Sequence, residues 1–396
     1  MIWIKYYWIW VIHSIFYSFA FTFSTAFYQA YAIRVLGYSV DELGNITFLN
    51  LAAISLGSFV SPILVNRYRH RRVVLWKVFT SLNIISWSLS GFSDIVSRYM
   101  LFFYIALAQF TGAIGGMAYS DLIADMIPKE KSIKIFSKVN TYTTLSSLVS
   151  LSISISIFVV LGSSIVSYRI CYSMTIVSAI ISAAFLWKMK DLVQKKNEMT
   201  SVKYVIKVYR DIVRKDVARG YIVFISLFTF FANMPAALWN YYIIKVFNGT
   251  ELWISVNNIM NLVAGTLGNY LLSKVSHRLN PKKTIVYSII PISFVPTIFL
   301  FSSTLSAQAV MNLYSGLSWT GFNLIVNIYN LYLAGEKRVY MIALLGVLNN
   351  LAASIASRLG SAIASINLLA MQMVFVMSTI GRLSMYFYAR KNLPNI

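Results

Sequence analysis

Runs of about 20 mostly apolar residues recur along the whole chain, and they limit the fold more than any other feature of the sequence. A helix rising about 1.5 Å per residue crosses a hydrocarbon core of about 30 Å in such a run. Backbone groups in lipid must satisfy one another, so each run reads as a helix. The first six spans are expected at 8–33, 45–65, 73–92, 99–124, 137–161 and 166–187. Six more are expected at 220–243, 252–272, 284–303, 306–332, 339–361 and 366–388. The fold class is therefore an all-α membrane protein of about twelve transmembrane helices. Composition agrees: 58% of residues are hydrophobic and 12% charged, too few charges to cover a soluble domain. The first segment, MIWIKYYWIWVIHSIFYSF, is too long and aromatic for a cleaved leader and is expected to remain as helix 1.

A net charge of +22 would suit a nucleic-acid binder. Its distribution argues against that partner. Lys5, the 66–77 and 129–138 loops, the connector, the 274–283 loop, Lys337, Arg338, Arg390 and Lys391 fall on one side of an even-numbered helix count. Arg34, Arg98, Arg169 and Lys245 fall on the other. That asymmetry is the positive-inside pattern and predicts a multi-pass cell-membrane protein with both termini cytoplasmic. The partners expected are membrane lipids and a small-molecule solute, with no nucleic acid, and the chain is expected to be a monomer. Cys171 has no cysteine to pair with and reads as a packed thiol.

The residues 187–220 are charge-dense and carry an amphipathic pattern around Tyr204–Val213. They divide the chain into a bundle at 1–188, a cytoplasmic connector at 189–219 and a second bundle at 220–396. The halves echo each other. An offset of about 211 residues places Tyr17 on Phe228, Tyr28 on Trp239, Gln29 on Asn240, Tyr31 on Tyr242, Arg34 on Lys245 and Gly37 on Asn248. An offset of about 206 places Gly115 on Gly321 and Asp121 on Asn327. The expectation is two pseudo-symmetric six-helix bundles.

Residues 61–75, SPILVNRYRHRRVVL, resemble the loop signature G-x-L-x-D-R-x-G-R-R of the major facilitator superfamily. Leu64 and Arg67 match, Pro62 and Asn66 depart, and Arg71 and Arg72 supply the basic pair after one inserted residue. The second copy, SKVSHRLNPKK, keeps Arg278, Lys282 and Lys283. Residues 112–132 and 315–338 are similar to the Gly-rich fourth and tenth helices of that family. The resemblance implies a transporter, not an enzyme, working by alternating access. It also implies a gating latch between the basic loop and the end of helix 4, here Arg67 or Arg71 with Asp121 or Asp125.

Polar stripes along spanning helices should face other helices or a watery cavity. Asn312, Gly316, Trp319, Asn323, Asn327 and Asn330 share one side of helix 10, while Asn258 and Asn261 lie on helix 8 and Asn350, Ser354 and Arg358 on helix 11. Tyr17, Phe21, Ser24, Tyr28 and Gln29 form a mixed face on helix 1, echoed by Asn233, Trp239 and Asn240 on helix 7. The substrate-binding candidates are Tyr17, Tyr28, Gln29, Asn233, Trp239, Asn240, Trp319, Asn323, Asn350 and Arg358. Carboxamides with aromatic faces suit a neutral polar solute such as a sugar or metabolite. Efflux of lipophilic or amphipathic compounds, or a nontransporting receptor on the same fold, is the alternative. The same asparagines could instead join helices, as the Ser/Thr face of helix 5 at Thr144, Ser147 and Ser154 is expected to. Trp8, Trp10 and Tyr242 read as interfacial anchors, and His13 as an interfacial or packing residue. Arg358 would bind an anionic group or snorkel to the outer interface. Every one of the 12 Asp and Glu residues lies in a loop or near a span end, so no midmembrane carboxylate offers a proton path. No cofactor or metal is expected.

Overall fold

The computed structural model describes residues 2–126, 129–191, 200–275, 280–334 and 338–394. Arg278, Lys337 and connector residues 192–199, all weighed above, lie outside that set. Among the described residues every regular element is helical. The first half comprises α1 (Ile2–Arg34), α2 (Val40–Arg67), α3 (Arg72–Leu89), α4 (Met100–Met126), α5 (Lys129–Leu161) and α6 (Ile165–Leu186). The connector helix α7 (Val202–Arg214) follows, and then α8 (Asp216–Asn233) and the short α9 (Trp239–Tyr241). The chain closes with α10 (Glu251–Val275), α11 (Pro281–Phe301), α12 (Leu305–Ala334), α13 (Arg338–Ala364) and α14 (Leu368–Asn392).

Nine described helices are long and apolar enough to cross a membrane: α1 to α6, α11, α13 and α14. Three more complete the twelve. α10 and α12 have 25 and 30 residues, enough for a span, but their asparagines lower the apolarity. α8 has 18 residues and resumes, after a break, through α9 and a π-helical turn at Tyr242–Val246. Helices can outlast apolar runs. α5 begins at Lys129, eight residues before the expected span, so part of the 129–138 segment expected as loop is helix.

The chain forms two compact units, Met1–Gly37 with Ala53–Val205 and Tyr38–Ala52 with Ile206–Ile396. Their internal pairings repeat. In the first unit α1 packs on α5 and α6, and α3 on α4 and α6. In the second α8 packs on α13 and α14, and α11 on α12 and α14. Backbone detail repeats too. Gly37 and Asn248, matched by the sequence offset, both take the left-handed conformation, at φ 67° and 52°. Glycine and asparagine are the residues that tolerate it at the tight turn closing each first helix. A Cβ on Gly115 would meet Thr80 of α3, and one on Gly321 would meet Ser288 of α11. The matched glycines thus let equivalent helices approach.

Local chemistry sets the helix starts. Ser39 and Glu42 form a reciprocal capping box on α2: Glu42 N donates to Ser39 Oγ at 3.3 Å and Ser39 N to Glu42 Oε2 at 2.9 Å. Asn280 caps α11 before Pro281, and Asn367 caps α14 by accepting from Ala370 N at 2.8 Å. The amphipathic connector is helical as its pattern predicts, burying Val205, Val208, Tyr209 and Ile212.

The hydroxyl face of α5 packs on α1. Ser146 and Ser150 donate to the Ile15 and Phe19 carbonyls at 2.7 and 2.9 Å, and Ser147 Oγ lies 2.8 Å from Ser18 Oγ. His13 is a packing residue, buried with Nδ1 2.9 Å from Ser182 Oγ. Trp8 is exposed as an anchor should be, whereas Trp10 and Tyr242 are buried.

Candidate functional site

Three prolines shape the second unit. Proline has no N–H, so the carbonyl four residues before it loses its helical partner. Pro235 strands the Phe231 carbonyl and Pro296 strands that of Ile292. The chain also turns at Asn233–Leu238: Ala236 N donates to Asn233 O at 3.0 Å, leaving Ala232 O without its usual donor. Pro291 adds a further interruption to α11.

Helix α14 answers these carbonyls. Ser378 Oγ donates to Phe231 O at 2.6 Å. Arg382, one turn later, donates through Nη1 to Ile292 O and through Nη2 to Ala232 O, both at 3.0 Å. Gly381 makes the approach possible, since a Cβ there would lie 2.0 Å from the Phe231 ring. Arg382 is buried, its Nε has no hydrogen-bond partner among the described residues, and its guanidinium carbon lies 5.9 Å from the Trp319 ring centroid.

The Arg382 side chain lines a cavity of about 300 Å³ inside the second unit. Asn257, Asn258 and Asn261 come from α10, Asn312, Ser315 and Trp319 from α12, and Trp239 and Asn240 from the stretch after the break. Phe299 of α11 braces Trp239 edge-on at 4.7 Å between ring centroids. Asn258 and Asn312 spend one amide hydrogen on their own helices, at 2.8 and 2.9 Å, and Asn261 Nδ2 reaches Asn312 O at 3.5 Å. Asn257 differs. It is 6% exposed, and neither polar atom of its side chain has a partner among the described residues. The two less apolar helices, α10 and α12, are those that furnish this polar wall.

Of the ten expected binding residues, Trp239, Asn240 and Trp319 line the cavity. Tyr17, Tyr28 and Gln29 belong to an aromatic cluster in the first unit. There Tyr17 donates to Asn83 Oδ1 at 2.8 Å, and Gln29 Nε2 to Tyr28 Oη at 3.2 Å. Asn233 and Asn350 donate to their own helices, at Thr229 O and Gly346 O, and Asn323 is exposed. Arg358 meets Asp41, with Nη1–Oδ1 at 2.5 Å and Nη2–Oδ2 at 3.4 Å.

The latch expectation changes by one residue. Arg72, not Arg67 or Arg71, meets Asp121 and Asp125: its Nη1 lies 3.0 Å from Asp121 Oδ2 and also bonds Asp125 Oδ2. Its Nε donates to Asp191 Oδ2 at 3.0 Å, a carboxylate the motif does not point to. A 3₁₀ turn at Arg69–Arg71 winds the inserted residue, so Arg72 opens α3 facing inward while Arg67 and Arg71 stay exposed.

Sequence reasoning passed over Arg382 and Asn257. The signal for Arg382 is a lone cation inside the 366–388 span, which a sorting of loop charges by side does not register. Asn257 is one turn before Asn261 and completes its face. Among the described residues no three His, Cys, Asp or Glu side chains converge as a metal site would.

Two related helical bundles, one lining a polar cavity, define a polytopic membrane protein of transporter type. The family model of the Major Facilitator Superfamily matches residues 9–357, and the chain belongs to that superfamily. No curated protein sequence matches it. Among solved structures it is similar to a D-xylose–proton symporter, with a TM-score of 0.75 at 12% identity over 98% of this chain and 97% of that one. The nucleoside transporter NupG gives 0.72 at 11% over 97% and 98%. The xylose transporter XylE from E. coli gives 0.71 at 11% over 100% and 97%.

Proposed function

We propose that this chain is a secondary transporter that carries a small polar organic solute across the cell membrane by alternating access. The carrying observation is the cavity of about 300 Å³ in the second bundle, walled by carboxamides and two tryptophans. Its volume lies at the small end of ligand sites. Carboxamides both donate and accept, so they suit hydroxyl or amide groups, while Trp239 and Trp319 offer flat apolar faces. That lining favours a polar solute over a lipophilic one. The cargoes of the similar structures, xylose and nucleosides, are of this general kind.

Trp239, Asn240 and Trp319 are proposed to touch the solute, and Asn257, Asn261 and Asn312 to hydrogen-bond it. The Arg72 cluster with Asp121, Asp125 and Asp191 is proposed as the latch that biases the transport cycle. Uptake by purified protein in liposomes, with and without a pH gradient, tests the reading. Saturable flux supports it; ligand binding without flux would favour a receptor.

A further inference from the structure

Arg382 has more hydrogen-bonding capacity than its structural task uses. A guanidinium carries five N–H donors, and the carbonyls of Ile292 and Ala232 take two. A neutral donor would serve a stranded carbonyl equally well, as Ser378 does one turn earlier. The positive charge therefore calls for a separate explanation, because a buried cation without a counter-charge is costly. Among the described residues no carboxylate pairs with Arg382, which is 2% exposed, and its Nε is unpartnered. The charge faces the cavity rather than a fixed acidic side chain.

We infer that the transported solute is a small organic carboxylate whose anionic group docks on Arg382. The inference rests on the transport reading above and narrows its substrate class from neutral to anionic. A planar guanidinium binds a carboxylate through parallel charge-assisted hydrogen bonds, and burial strengthens them. Nε and the remaining Nη hydrogens supply those donors. Asn257, with both amide atoms unpartnered, supplies one donor and one acceptor for the solute's neutral polar groups. Trp319, beneath the guanidinium, holds the flat side of the molecule. Binding thus pairs three buried polar atoms that have no partner among the described residues.

The test uses matched pairs of probes that differ mainly in the carboxylate: gluconate with sorbitol, glucuronate with glucose, and glycerate with glycerol. Binding is read as the shift in unfolding midpoint of the full chain in detergent, and flux as counterflow in liposomes. The expected result is that a carboxylate binds and its neutral twin does not. Arg382→Gln, which keeps an amide donor for the carbonyls, should weaken carboxylate binding on the order of tenfold to a hundredfold. Arg382→Lys should retain part of the preference, and Asn257→Ala should weaken binding while leaving the preference for the anion. The inference is overturned if no carboxylate binds, if a neutral twin binds as tightly as its acid, or if Arg382→Gln keeps the preference. Counterflow of neutral solutes independent of Arg382 would sink the inference but keep the transporter. Anion binding without flux would do the reverse.

Discussion

Asp41, in the first turn of α2, grips Arg358 of α13 through two oxygens, at 2.5 and 3.4 Å. The Ser39–Glu42 capping box sets the start of that helix and so the place of Asp41. Contact between the helices is close, because a Cβ on Gly44 would fall 1.7 Å from Ser361 Oγ. The two charged side chains are 43% and 37% exposed, so solvent screens the pair and its coupling should be modest, about 0.5–1 kcal/mol. Arg358→Asp and Asp41→Arg should each lower the unfolding midpoint, and the double swap should recover most of the loss. A double-mutant cycle on thermal unfolding measures it. Additive losses would show that the ion pair contributes nothing.

Arg72 should behave differently. It is fully buried and bonds Asp121, Asp125 and Asp191, so Arg72→Met would remove the one side chain among the described residues that bonds all three carboxylates. Removing one partner of such a buried cluster costs about 3–5 kcal/mol. Arg67→Gln and Arg71→Gln, at exposed positions, should change stability by about 0.5 kcal/mol or less. Thermal unfolding of the three variants side by side separates them, and equal effects would show that the Arg72 cluster contributes no more to stability than the exposed arginines do.

The difference between Arg71 and Arg72 shows where sequence reading stops. Neighbouring residues on a helix differ by about 100° in direction, and a 3₁₀ turn shifts that register again. Motif spacing locates the basic cluster but not the arginine that turns inward. Span positions were legible because lipid thickness acts on whole runs of residues. The break in the expected 220–243 span is signalled by Pro235, yet its use, releasing carbonyls for α14, depends on a helix about 150 residues away. In the cavity, Trp239, Asn240 and Trp319 followed from polar and aromatic faces. Arg382 required knowing which carbonyls the prolines leave without donors.

Gly360 gives a packing test at the same break. A Cβ there would lie 2.0 Å from the Met234 carbonyl oxygen, backbone that has no rotamer to move. Gly360→Ala should therefore force α13 away from the turn and cost about 2 kcal/mol or more. Gly116 in α4 is the control, because a Cβ there meets nothing within 4 Å. Gly116→Ala should leave stability unchanged or raise it by up to about 1 kcal/mol through helix propensity. Unfolding midpoints in detergent compare the two, and a tolerated Gly360→Ala would mean that the turn yields easily.

Asn257 distinguishes a binding residue from helix glue. Were it joining helices, its amide would have a partner and its loss would destabilise the bundle. Both of its side-chain polar atoms are buried and have no protein partner among the described residues, so its amide joins no helices there. Asn257→Leu, close in volume and free of polar atoms, should leave the unfolding midpoint unchanged or raise it by the equivalent of about 1 kcal/mol. The same change should cut solute uptake on the order of tenfold or more, because the solute loses a donor and an acceptor. Unfolding and liposome uptake measured on one preparation decide the matter. A less stable variant with normal uptake would assign Asn257 to packing, whereas a stable variant with lost uptake places it on the solute.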